Sequence, residues 1–143
     1  MYGKKPLSKS MLLPGSPASV QDRVLRIHLA LAALLSGKGN GHQMAVLIET
    51  AYLTWFLCDA GVCHADHADF KDIERMIGNT AHDTALDLYA LREDDKALAA
   101  WLLDLHERQL RRAPVFTVLK AQERLAHFAR SSRAAPWERQ PAG

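Results

Sequence analysis

The run from Val24 to Cys58 constrains the fold more than any other part of the chain. It holds two nearly all-apolar, helix-length segments joined by the hinge Ser36-Gly-Lys-Gly-Asn-Gly41. In the second segment, Met44 to Cys58, only Glu49, Thr50 and Thr54 interrupt the apolar residues, so a helix formed there has no polar face. Such a helix must be covered on every side. A chain of 143 residues has few other elements to do the covering. The segment is therefore the central helix of a bundle or part of a subunit interface.

The residues around it also favour helix. Val, Ile and Thr are sparse and never alternate over a useful length, which argues against strands. Apolar residues make up 48% and charged residues 24%, enough for one domain with a real core. Residues 1–15, punctuated by Pro6, Pro14 and Gly15, read as a flexible arm. Ser16-Pro17 supplies an N-cap with proline at the first helical position, which starts a helix that runs to about residue 36. The next helix spans about 41–59 and stops at Gly61. Phe70, Ile73, Met76 and Ile77 mark the apolar face of a third.

Thr80-x-x-Asp83 has the form of a capping box and predicts a further helix burying Ala81, Ala85, Leu88 and Leu91. Leu98, Trp101, Leu102, Leu105 and Leu110 form an amphipathic stripe that ends before Pro114, and a last helix follows over 114–130. Residues 131–143 read as a disordered tail, with Trp137 as its one available anchor. The expected fold is all-α: one compact bundle of five or six helices over 16–130, with the apolar helix 41–59 at its centre.

Neither apolar run reaches the roughly 20 residues needed to span a bilayer, and the N-terminus has too short an apolar patch for a signal peptide. The expected compartment is the cytoplasm, where Cys58 and Cys63 stay reduced. Net charge is +2, but it is unevenly distributed: residues 1–58 and 96–143 are basic, while 59–95 hold ten acidic residues against three basic ones. Such a partition suits helices that complement one another, subunits that attract one another, or a partner of opposite charge.

Three groups of residues could carry function. Tyr52, Trp55 and Phe56 crowd one helix, and aromatic residues anchor protein contacts. Arg108, Arg111, Arg112, Lys120 and Arg124 could form a basic surface for nucleic acid, with the Arg-Arg-Ala-Pro break resembling the turn of a helix-turn-helix. Cys58, Cys63, His64 and His67 offer zinc-type ligands, although no Cys-x-x-Cys pair is present and Cys63 and His64 are adjacent. His82-Asp83 resembles the metal-dependent phosphohydrolases in a dipeptide alone. Within the apolar runs, His28 suits a packed position, and Glu49 either pairs with His28 or Arg26 or faces solvent or an interface.

No serine, histidine and carboxylate set can be assembled from these positions. The sequence thus points to a small, non-enzymatic cytoplasmic protein without a cofactor that self-associates, as a homodimer, and acts on a protein partner as a regulator, inhibitor or accessory subunit. Richness in alanine and arginine fits a GC-rich bacterial source. The alternatives are a nucleic-acid-binding regulator and a zinc-binding protein or metal-dependent hydrolase.

Overall fold

A computed structural model of the protein describes residues 8–131 and 135–138. It is an all-α bundle of five helices with one small hairpin among the described residues: α1 (Pro17–Leu35), α2 (Gly41–Asp59), α3 (His67–Gly78), β1 (Ala81–Asp83), β2 (Leu88–Ala90), α4 (Lys96–Arg112) and α5 (Val115–Ser131). Among the described residues no helix is long and apolar enough to cross a membrane.

Local chemistry sets the ends of the first two helices. Ser16 Oγ accepts the Ser19 N–H at 3.2 Å, and Pro17 occupies the first turn of α1, where its missing N–H costs nothing. At the other end Gly37 adopts φ +79°, which lets Lys38 N–H reach the Ala33 carbonyl and Gly37 N–H the Leu34 carbonyl. Gly61, at φ +90°, closes α2 in the same manner through Val62 N–H to Leu57 O and Gly61 N–H to Cys58 O. Asn40 and Gln43 form a reciprocal capping box at the start of α2, each side-chain oxygen accepting the other's backbone N–H at 2.8 Å.

Helix α2 lies at the centre. Met44, Leu47 and Ala51 join one core cluster with Leu34, Phe70 and Leu102. Leu53, Phe56 and Leu57 join a second with Val20, Val24 and Phe128. This explains the missing polar face: neighbours from α1, α3, α4 and α5 cover most of the helix and leave Glu49 and its ends exposed.

The segment expected to be a helix from Thr80 is instead the hairpin β1–β2, paired antiparallel with His82 opposite Tyr89. Asp83 does not cap a helix. Its Oδ1 accepts the N–H groups of Ala85 and Leu86, an Asx-type turn that competes with helix nucleation, and Asp87 completes the reversal at φ +53°. Of the residues expected to be buried there, only Leu91, just past β2, reaches the core. The hairpin is held by the hinge: Gly39 and Tyr89 exchange backbone hydrogen bonds. A Cβ on Gly39 would run into the side chain of Leu34, which is fully buried. Gly39→Ala is therefore expected to destabilise the protein by about 1–3 kcal/mol through overpacking, and a urea midpoint equal to that of the wild type would disprove this close approach.

Both ends of the described chain are tied to the bundle. Leu13 O accepts the Val115 N–H at 2.9 Å at the start of α5. At the other end, residues 135–138 fold into a 3-10 turn that buries Trp137 to 1% exposure. Its ring packs edge-on against Tyr52 and Trp55 and tilted against Phe70, and its indole N–H donates to Glu74 Oε1 at 3.0 Å. The Glu138 carboxyl, then the Trp137 indole, hold Glu74 below the usual carboxylate range. Trp137 thus acts as the expected anchor and draws residues 135–138 of the presumed tail into the core. Residues 1–7 of the expected arm, and 132–134 and 139–143 of the tail, lie outside the described residues.

Candidate binding site

The most informative polar group is on α4 and faces inward. His106 is 2% exposed, and its Nδ1 lies 3.1 Å from Thr54 Oγ1 and 3.1 Å from Gln109 Oε1. Two constraints decide which partner donates. The Thr54 hydroxyl already gives its proton to the Thr50 carbonyl at 2.6 Å. The Gln109 amide nitrogen faces the carbonyls of Thr54 and Val62 at 3.0 and 3.3 Å, and carbonyls only accept, so the amide oxygen is the atom turned to the imidazole. Nδ1 must therefore carry the proton and donate to both oxygens. Burial, reinforced by the nearby Arg23 charge and partly offset by the Gln109 bond, lowers the His106 pKa to about 4. The ring is neutral at pH 7, and Nε2 holds a free lone pair.

That nitrogen has no partner among the described residues, yet no side-chain nitrogen or oxygen there is both sealed from solvent and unpartnered. Nε2 therefore keeps some contact with solvent, and His106 helps to line a cleft of about 380 Å³ between α1, α2 and α5. Arg23 and Arg26 line it from α1 and Glu49 from α2, with Gln122 on α5. Ile27, Leu53 and Leu125 supply apolar wall. Arg23 is held below the usual arginine pKa, first by burial and then by the Arg26 charge. Neither arginine nor Glu49 forms an ion pair within 4.0 Å with a described residue.

Helix α1 also carries a second surface. Opposite its core face run Ala18, Asp22, Leu25, Leu29, Ala32 and Ser36, all exposed, at alternating spacings of four and three. Leu25 and Leu29, at the middle, are 51% and 62% exposed. This 3.5-residue period matches the spacing of a coiled-coil stripe. The signal was present in the sequence, but it was overshadowed by the stronger stripe of Val20, Val24, Leu31 and Leu34 on the other side of the helix.

The aromatic set expected to bind a partner takes part in the protein's own packing. Phe56 is buried, and Tyr52 and Trp55 are half-buried against Phe128, Phe70 and Trp137. The basic residues are spread out, and most have acidic neighbours: Arg108 pairs with Asp104 at 3.2 Å, Arg111 with Glu107 at 2.9 Å and Lys120 with Glu123 at 3.9 Å. Arg124 pairs with Asp59 at 2.9 Å and stacks over Phe56, whereas Arg112 reaches toward Cys63.

The zinc-type ligands are turned to different partners. Cys58 Sγ accepts from Gln109, His64 lies beside Asp66, and His67 Nε2 meets the Trp137 carbonyl at 2.8 Å. Burial, then the neighbouring Cys63, pushes the Cys58 thiol up to about 11, so it resists forming the thiolate a metal requires. Among the described residues, no three His, Cys, Asp or Glu side chains come together as a metal site. His82 sits in the hairpin, bonded to Asp87 and stacked on Tyr89. His28 is exposed on the outer side of α1 and is not the packed group expected from its apolar surroundings, whereas Glu49, without an ion-pair partner among the described residues, takes the exposed position that was its alternative.

Sequence reasoning missed His106 and Gln109, because the amphipathic stripe of α4 stands out through its leucines and Trp101. The spacing carried the signal: His106 and Gln109 continue the face of Leu102 and Leu105, where a polar pair implies a buried hydrogen-bonding network. Compared with known proteins, the chain matches no family model, no curated protein and no solved structure.

Proposed function

We propose that this protein acts by contact and without covalent chemistry, and that it associates with a second copy of itself through the outer face of α1. The observation that supports this reading is the exposed seam centred on Leu25 and Leu29. Single exposed leucines are ordinary on a protein surface, but two at i and i+4, continued by Ala18 and Ala32 at the coiled-coil period, form a strip another helix can cover. A two-fold axis between Leu25 and Leu29 makes the strip complementary to itself: each Leu25 meets the other copy's Leu29, and the small Ala32 beyond each Leu29 leaves room for the other copy's Asp22. The assembled pair would then present its remaining surface to a protein partner as a regulator or accessory subunit.

Sedimentation of the wild type and of Leu25→Glu/Leu29→Glu tests the reading. Both residues point to solvent in the single chain, so the double variant is expected to keep its helical circular dichroism. The wild type should sediment at twice the chain mass, and the variant as a single chain with its dissociation constant raised at least a hundredfold. A wild type that stays monomeric at 100 μM would exclude the seam as a self-contact.

A further inference from the structure

We propose that the cleft beside His106 is a binding site for a small organic acid that also carries a hydroxyl or N–H donor, a hydroxyaryl carboxylate being the simplest member of the class. This goes beyond self-association and rests on different residues, drawn from α1, α2, α4 and α5.

Each part of the ligand answers a group on the cleft wall. Arg23 and Arg26 are two neighbouring guanidiniums without ion-pair partners among the described residues, and a carboxylate is the anion their planar forks fit. A phosphate dianion fits less well. Glu49 borders the same space and opposes additional negative charge, and His106 is neutral and offers an acceptor where a fully ionised phosphate offers only more acceptors.

The His106 lone pair sets the second requirement. Nδ1 is committed as a donor to Thr54 and Gln109, so Nε2 can only accept, and a ligand must bring an O–H or N–H to meet it. Gln109 holds this tautomer in place through its own bonds to the carbonyls of Thr54 and Val62, which makes the acceptor rigid and preorganised. Between the charged and the accepting ends, Ile27, Leu53 and Leu125 take an apolar body. The volume of about 380 Å³ falls at the small end of ligand sites, which suits one ring.

The test is calorimetric titration of the wild-type protein at pH 7 with 2-, 3- and 4-hydroxybenzoate, with benzoate and phenol as probes lacking one group each. The three isomers sample different separations of carboxylate and hydroxyl. At least one isomer should bind about tenfold or more tighter than benzoate, which leaves the His106 acceptor unmet, and than phenol, which brings no anion to the two arginines. Arg23→Gln/Arg26→Gln should remove the preference of the best isomer over phenol while keeping the preference over benzoate.

Because replacing a buried histidine can disturb folding, the role of Nε2 is read in the wild type by ¹⁵N NMR. His106 should show the Nδ1–H tautomer, and its Nε2 resonance should shift on addition of the best isomer. No binding by any isomer at millimolar concentration, equal affinity for benzoate, binding unchanged in the arginine variant, or an Nε2–H tautomer would each overturn the proposal.

Discussion

Replacing Trp137 with alanine is expected to lower the unfolding free energy by about 3–5 kcal/mol, the cost of removing a large aromatic side chain from a packed core. Trp137 is 1% exposed and touches Tyr52, Trp55 and Phe70, so the loss opens a cavity where α2 and α3 meet and leaves the Glu74 carboxylate without its indole donor. Urea unfolding reads the effect as a lower midpoint at unchanged slope. Trp137→Phe keeps one aromatic ring in the core and removes the N–H together with part of the indole's volume; half-exposed Glu74 can turn to water, so this variant should lose less than the alanine variant. A change below about 1 kcal/mol for the alanine variant would show that residues 135–138 contribute little to the core.

The second large effect is on pH dependence. The folded pKa of His106, about 4, lies below its ordinary value of 6.5. Between these values the unfolded chain takes up a proton that the folded chain refuses, so stability falls as pH drops from about 6.5 to about 4 and is level above 6.5 with respect to this group. The gap corresponds to roughly 3 kcal/mol. Carboxylates such as Glu74, whose folded pKa is lowered, also lose stability in acid, so the histidine contribution is read as a difference. Wild type and His106→Asn are compared by urea unfolding at pH 7 and pH 4.5. The wild type should lose roughly 2–3 kcal/mol more than the variant. Equal losses, or an imidazole titrating near 6.5 in the folded protein, would contradict the buried neutral ring.

Legibility from sequence followed the range of the interactions. Helix α2 was found to its ends because its boundaries are set by local chemistry, Asn40 and Gly61, and its burial by its own composition. The break at Pro114 was equally local. The hairpin was misread because Thr80-x-x-Asp83 is ambiguous at short range: the same aspartate can cap a helix or close an Asx turn. What decides between them is the distant pairing of Tyr89 with Gly39, to which a capping pattern gives no clue. Much of the candidate site was hidden for the same reason. Arg23 and Arg26 fall on α1, Glu49 on α2 and His106 on α4, and only the packing of three helices brings them to one cleft. Tyr52, Trp55 and Phe56 stood out by residue type, but residue type alone could not reveal that Phe128 and Trp137 return to meet them.

The position of Trp137 along the chain sets the order in which the core can close during synthesis. His67 and the tryptophan carbonyl that it meets are 70 residues apart. At about 5–20 residues per second, a ribosome takes roughly 4–14 s to cover that distance. For nearly all of this interval Tyr52, Trp55 and Phe70 have been made but lack the ring that completes their cluster. The nascent chain therefore passes through a stage with its central helix incompletely sheltered. For those seconds, protection from aggregation falls to chaperones or to the speed of elongation.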